Sequence, residues 1–187
     1  MQKGYLHRGN LSFKDKFISL DFTLIFLVLV LGIISFFAMY STDGGQFAYH
    51  TKSHIIRFII FFTLFFVISF IKTSFWYSSA TLFYLGVLFL LILVKYVGLT
   101  SSGSQRWLDL YFLNLQPSEL MKIGLILFLA KYYHKISSGD VNKFRYLVQP
   151  LLALLFPVIL VITQPDLGTS FLIAVGGVIV VWLSGVK

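Results

Sequence analysis

The chain has 187 residues, 58% of them hydrophobic and only 12% charged, with a mean hydropathy of +0.87. A soluble domain is about half apolar and about a quarter charged, and a core of this length could not bury so much apolar surface, so a water-soluble fold is excluded. The net charge of +8 is no nucleic-acid footprint, because the Lys and Arg sit at the ends of apolar blocks; it reads as topogenic charge facing the cytoplasm and its anionic lipids. With no cysteine, disulfides, thiolate metal sites and thiol nucleophiles are excluded as well.

In chain order, residues 1–20 form a polar cytoplasmic tail with Lys3, Arg8, Lys14 and Lys16. Residues 22–41 carry no charge, and a membrane helix needs about 20 such residues. A secretory signal would be shorter, with a small-residue cleavage site that Ala38-Met39-Tyr40 does not supply, so this is an uncleaved first span. A short loop with a Gly44-Gly45 break precedes the second span at 55–71, where Arg57 can snorkel. Lys72-Thr73-Ser74 makes a tight turn into a third span, 75–94. A longer mixed loop covers 95–116. The fourth span, 117–133, is the least apolar and carries Glu119 and Lys122 near its start. A basic loop leads to the fifth, 146–163, which holds Pro150 and Pro157; prolines are tolerated in membrane helices, often as kinks. Gln164-Pro165-Asp166 turns into the sixth, 167–186.

With the N-terminus inside, Lys3, Arg8, Lys14, Lys16, Lys72, Lys131, Lys135, Lys143, Arg145 and Lys187 fall on the cytoplasmic side. Only Lys52, Arg57, Lys95 and Arg106 fall outside, as the positive-inside rule requires. The expected fold is therefore an all-α, polytopic transmembrane bundle (residues 21–187) of about six spans with both termini cytoplasmic. Nothing alternates over about ten residues, so a β-barrel is rejected.

Two segments resemble each other: Gln116-Pro117-Ser118-Glu119-Leu120 opens the fourth span and Gln164-Pro165-Asp166-Leu167-Gly168 opens the sixth, both at the outer face. Proline in the first turn, with Ser118 or Asp166 as a cap, is ordinary helix initiation, and an acid there suits the macrodipole. Lys122 lies one turn inside the membrane, where a charge costs about 2.5–3.5 kcal/mol at mid-bilayer and less near the interface. Such a residue faces a protein interior or a wet cavity and has a partner. Glu119 at i−3 is one candidate; Asp166, which starts a helix from the same side, is the other. The expectation is a Lys122–Asp166 pair across the bundle, against the simpler reading that Lys122 snorkels outward. Arg106-Trp107, in the outer loop before the fourth span, is either an interfacial anchor or a contact for an anionic head group such as a phosphate. His50 and His54 have metal-compatible i,i+4 spacing but no third ligand in view. Ser170, Ala174 and Gly177 are small residues spaced for close helix packing. Walker, dinucleotide and HExxH signatures are absent, and no cofactor is assigned.

The set Gly103-Ser104-Gln105-Arg106-Trp107-Leu108, QPSELMK at 116–122 and QPDLGTS at 164–170 resembles the RodA/FtsW (SEDS) family over nearly the whole chain, the rod-shape branch more than the division branch. Each piece alone is weak; the set, with its order and intervening apolar spans, is specific. The resemblance implies a peptidoglycan glycosyltransferase of the bacterial cytoplasmic membrane. It polymerises lipid II for cell elongation, shape and division, with a class B penicillin-binding protein as transpeptidase partner. It further implies that Arg106, Trp107, Gln116, Ser118, Glu119, Lys122, Gln164 and Asp166 line a substrate cavity. The family has about ten spans, and its catalytic aspartate lies in a later outer loop with no counterpart here. The resemblance thus implies the front part of a longer protein, a split-gene product or a decayed copy, inactive by itself and without a catalytic residue of its own. Two other functions fit the same residues. A flippase or transporter would also use buried ion pairs and proline-broken helices. A non-catalytic membrane scaffold for cell-wall enzymes would bind partners without Lys122 or Asp166.

Overall fold

The computed structural model describes residues 13–101, 104–109, 114–137 and 139–186. Lys3, Arg8, Gly103 and Lys187 lie outside the described residues. The described chain is helical apart from one small sheet, and it divides into two compact units, 1–72 and 73–187.

The first unit holds α1 (Phe13–Ile18), α2 (Phe22–Thr42) and α3 (Tyr49–Ser69). Asp21 caps α2, its carboxylate accepting from the Leu24 N–H at 3.1 Å, which satisfies one of the amides a helix start leaves open. Gly44 and Gly45 both adopt positive φ (70° and 77°), a conformation that glycine reaches without Cβ strain. They turn the chain so that α2 and α3 form an antiparallel hairpin. Asp43 ties that turn down: its Oδ2 accepts from both the Thr51 N–H and the Thr51 hydroxyl, each at 2.7 Å. At the other end, the Lys16 ammonium donates to the Phe70 carbonyl at the C-cap of α3 (3.2 Å), a favourable place for a cation. Gly32 makes room for the Phe58 ring of α3, which a methyl group there would run into.

The second unit holds α4 (Thr73–Val97), β1 (Leu99–Ser101), β2 (Ser104–Asp109), β3 (Asn114–Leu115), α5 (Pro117–His134), α6 (Phe144–Ile162) and α7 (Leu167–Leu183). The strands form an antiparallel meander in the order β1-β2-β3, with Leu99 opposite Trp107 and Leu108 opposite Leu115. α5 packs on α4, α6 and α7. The core lies along α5, where Met121, Leu125 and Leu129 meet Tyr84, Val87 and Leu91 of α4, Leu154 and Val161 of α6, and Ile173 of α7. Gly177 admits this packing, because a Cβ there would press on Leu154 and on Leu125. Of the small face expected from Ser170, Ala174 and Gly177, Ser170 and Gly177 are buried and Ala174 is half-buried.

The two prolines of α6 each remove an amide hydrogen, leaving the carbonyl four residues earlier without its helical partner. In lipid such a group costs several kcal/mol unless something else pairs with it. The Tyr84 hydroxyl of α4 donates to the Ala153 carbonyl freed by Pro157 (2.9 Å, buried). The Tyr132 hydroxyl of α5 donates to the Tyr146 carbonyl freed by Pro150 (3.0 Å). Each proline is thus matched to a tyrosine on a neighbouring helix.

Among the described residues, four helices, α2, α3, α4 and α6, are long and apolar enough to cross a membrane. α7 is apolar but has 17 residues, and α5 carries Glu119, Lys122 and Lys131. The helix ends differ from the apolar runs that located them: α4 runs past its run at both ends, while α3 stops at Ser69 and α7 at Leu183, short of the expected 71 and 186. α3 begins at Tyr49, ahead of the apolar stretch from 55, because the Asp43–Thr51 contact fixes its first turn. The segment 95–116, expected as a loop, contains the β-meander, and the tail contains α1.

Tyr84→Phe should lower stability by about 0.5–1.5 kcal/mol, the scale of a lost interhelical hydrogen bond in a membrane protein. In a Pro157→Ala background the same change should cost much less, because the alanine would supply the missing N–H. Unfolding of the four variants in detergent measures this, and an equal cost in both backgrounds would refute the pairing. The Thr51 hydroxyl, acting first and with the Thr51 N–H, holds the Asp43 carboxyl below the usual carboxylate range, burial opposing. A group whose pKa is lowered on folding contributes stability above its unfolded pKa and loses it as pH falls through the folded value. Stability at the α2–α3 turn should therefore drop at the acid end, below the ordinary aspartate pKa. Asp43→Asn should flatten that acid limb in hydrogen exchange of the Thr51 amide.

Candidate functional site

Gln164-Pro165-Asp166 forms the connection from α6 to α7, and Asp166 is the N-cap of α7. Its Oδ1 accepts from the Thr169 N–H at 3.2 Å. Capping uses one carboxylate oxygen, and the other faces two donors from different elements. The Gln116 side-chain amide donates to Oδ2 at 3.0 Å, and the Arg106 guanidinium of β2 lies 3.4 Å from the same oxygen. The Asp166 side chain is 9% exposed and that of Arg106 29%, so the ion pair is partly shielded from solvent. Gln116 is itself the N-cap of α5, but its side chain makes no cap bond; it reaches across to Asp166 instead. One buried carboxylate thereby joins the start of α5, the start of α7 and the middle strand of the meander.

Gln164, buried, holds the α6–α7 connection against α4 by donating its side-chain amide to the Leu91 carbonyl at 3.0 Å. Gln105, on β2 beside Arg106, donates in the same way to the Gly98 carbonyl just past α4 at 3.2 Å. Nothing in composition or hydropathy singled out Gln105; only its place in the GSQRW segment could have drawn attention to it. Trp107 is half-buried on β2 opposite Leu99.

Two sequence expectations are corrected. Lys122 does not pair with Asp166: its ammonium meets Glu119 one turn earlier, at 2.9 Å, while Asp166 takes Arg106. A lysine that finds an acid on its own helix face gains an ion pair without crossing the bundle. The Glu119 side chain is 54% exposed and that of Lys122 28%, so this pair faces a more open environment. Ser118 does not cap α5, since Gln116 holds that position; Ser118 is buried in the first turn. Asp166 does cap its helix, as expected.

Arg106, Gln116 and Asp166 thus converge directly, and Glu119–Lys122 forms a second pair on the first two turns of α5. The N-termini of α5 and α7 lie at this same end, bringing their positive dipole ends together with two cations. Each of these cations is paired with a carboxylate, so a ligand carrying negative charge would share them with Asp166 and Glu119. His50 and His54 lie on α3 rather than in a loop, and among the described residues no three His, Cys, Asp or Glu side chains are grouped to hold a metal ion.

Double-mutant cycles should separate the two pairs. Arg106→Gln and Asp166→Asn, in contact, should show a coupling of about 0.5–3 kcal/mol in thermal unfolding. Lys122→Met and Asp166→Asn share no partner and should add to within about 0.5 kcal/mol. Strong coupling in the second cycle would restore the cross-bundle pair.

The family model for a cell cycle protein, FtsW/RodA/SpoVE, matches residues 17–187. "Probable peptidoglycan glycosyltransferase FtsW" from Buchnera aphidicola subsp. Baizongia pistaciae is 32% identical over 139 residues, covering 74% of this chain and 37% of the relative. "Peptidoglycan glycosyltransferase MrdB" from Escherichia coli K12 is 31% identical over 176 residues, covering 94% and 46%. The chain therefore spans under half the length of these curated relatives. Among solved structures, the rod shape determining protein RodA of Thermus thermophilus superposes with a TM-score of 0.77 at 28% identity, covering 90% of this chain and 55% of that one. A chain of a peptidoglycan synthase complex, solved in a study of coordinated polymerization and crosslinking, gives 0.79 at 29% identity, covering 89% and 48%.

Proposed function

The chain belongs to the FtsW/RodA/SpoVE family of cell cycle proteins, and from that premise we propose that it supplies the front part of a peptidoglycan glycosyltransferase that polymerises lipid II. It is a membrane protein with several apolar helices. We place it in the bacterial cytoplasmic membrane as six spans, with α5 and α7 crossing as well and both termini inside. The observation that carries the functional reading is the convergence of Arg106, Gln116 and Asp166 at the shared N-terminal end of α5 and α7.

The physical logic runs from the substrate. A lipid-linked sugar diphosphate presents its tail to the bilayer and its phosphates at the interface. In glycan polymerisation an acceptor sugar hydroxyl attacks the donor's anomeric carbon. The bond to the lipid diphosphate breaks, and negative charge grows on that leaving group. Cations and helix N-termini fixed beforehand at the departing diphosphate favour this step. Arg106 is oriented for it by Asp166, and Lys122 by Glu119. Trp107, Ser118 and Gln164 shape the surrounding wall. The group that accepts the hydroxyl proton is not assigned to these residues; the family resemblance places the catalytic aspartate in a later loop. The likeness to a peptidoglycan synthase complex supports a partner that crosslinks the strands, which we take to be a class B penicillin-binding protein.

Transport drew support from the proline-broken helix. Both freed carbonyls of α6 accept from tyrosine hydroxyls, so they are not left open to coordinate a passing ion.

Arg106→Gln and Asp166→Asn, made in the complete protein together with its crosslinking partner, should each reduce glycan strand formation from purified lipid II by tenfold or more, with assembly of the complex intact. Wild-type polymerisation in both variants would overturn the site. Lipid II movement between leaflets with no polymer formed would indicate a flippase, and complex assembly with neither activity a scaffold.

A further inference from the structure

At the opposite end of α5 from the Asp166 cluster, roughly 27 Å away for 18 helical residues, an open cavity of about 360 Å³ lies between the last turn of α5 and the first turns of α6. Tyr132, Lys135, Ile136, Arg145, Tyr146 and Gln149 line it. Lys135 and Arg145 both bring positive charge to this cavity, and among the described residues neither has a carboxylate within ion-pair distance. Asp140, the acid of the intervening connection, is held by Lys143 at 2.6 Å and reaches Arg145 only through longer-range attraction.

Arg145 is also placed against the ordinary electrostatics of a helix. It sits in the first turn of α6, which contains no acid and whose N-cap, Lys143, provides no side-chain cap bond. A cation near the positive end of the macrodipole, beside uncapped amides, is locally unfavourable, and a second cation in the same cavity adds repulsion. An anion seated there would relieve both effects. The donors for it are also held in place. The Arg145 guanidinium rests on the Tyr146 ring, 4.8 Å from its centroid, and the Tyr132 hydroxyl pins the Tyr146 backbone. The side-chain amide of Gln149 borders the same space.

The surroundings indicate which kind of anion. α6 is long and apolar enough to cross a membrane, which puts its N-terminus at headgroup depth. Ile136 and the two tyrosines give the cavity apolar walls beside its charges. We propose that this cavity binds the phosphodiester headgroup of an anionic phospholipid, with Lys135 and Arg145 as its cationic ligands. This site is separate from the Asp166 cluster and does not depend on the glycosyltransferase reading.

The test is native mass spectrometry of the full chain released from micelles containing equal amounts of phosphatidylglycerol and phosphatidylcholine with matched acyl chains. Phosphatidylglycerol adducts should exceed phosphatidylcholine adducts. Lys135→Gln and Arg145→Gln should each weaken phosphatidylglycerol retention about fivefold, and Lys95→Gln, in the last turn of α4 and away from this cavity, should leave it unchanged. Equal retention of the two lipids by the unaltered chain would overturn the proposal without reference to any variant. So would unchanged retention in a folded Lys135→Gln/Arg145→Gln double variant. Displacement of phosphatidylglycerol by sub-millimolar inorganic phosphate would assign the site to free phosphate instead and overturn the lipid proposal.

Discussion

A bilayer offers a backbone no water to bond with, and the second unit is organised around that constraint. Proline at two positions of α6 breaks the internal ladder that would otherwise make the helix self-sufficient. The freed carbonyl of Ala153 becomes a fixed polar point on an apolar surface, and that of Tyr146 a second one near the helix start. Tyr132 and Tyr84 meet them from different helices, which sets how α4, α5 and α6 stand relative to one another. The apolar core along Met121, Leu125 and Leu129 fills the space so defined. Hydrophobic packing in lipid is weakly directional, because lipid tails are as apolar as the side chains; the tyrosine–carbonyl bonds supply direction.

The same economy of polar groups governs the Asp166 end. A single carboxylate caps α7, accepts from Gln116 and pairs with Arg106. Removing it would leave a helix start and an amide short of a partner and would take from Arg106 this carboxylate. The two Gln-Pro segments therefore differ in role despite their similar sequence. In the one before α7 the residue after proline caps and bridges. In the one before α5, the residue before proline bridges and Ser118 is simply packed inside. Gln105 and Gln164 hold the flanking pieces to the end of α4, so the cluster rests on side chains that are themselves anchored.

The helices were legible because length and unbroken apolar runs are what a membrane span requires, and the polar residues of the cluster were legible because charge inside an apolar block is costly. The partner of each charge was not. Sequence alone places Lys122 near both Glu119 and Asp166, and only the strand carrying Arg106 reveals why Asp166 is already engaged. That strand was missed because the meander is short, with two-residue and three-residue strands flanking β2, too brief for alternation to register. Pro150 and Pro157 were visible as kink positions, yet nothing in the sequence couples them to Tyr84 and Tyr132, since the partners of a freed carbonyl come from other helices.

α5 is at once the most enclosed helix of its unit and, as a prospective span, the one with the most charge. Seven of its residues are buried, from Pro117 to Tyr133, whereas α2, uncharged throughout, has none. A helix of that kind is a poor solitary passenger into lipid: on leaving the translocation channel it would expose Lys122 and Glu119 with nothing around them. Its entry is best made in company, alongside α4 and with α6 soon to follow. Biogenesis would then treat these helices as one cargo, and damage to α5 would register first as failed insertion.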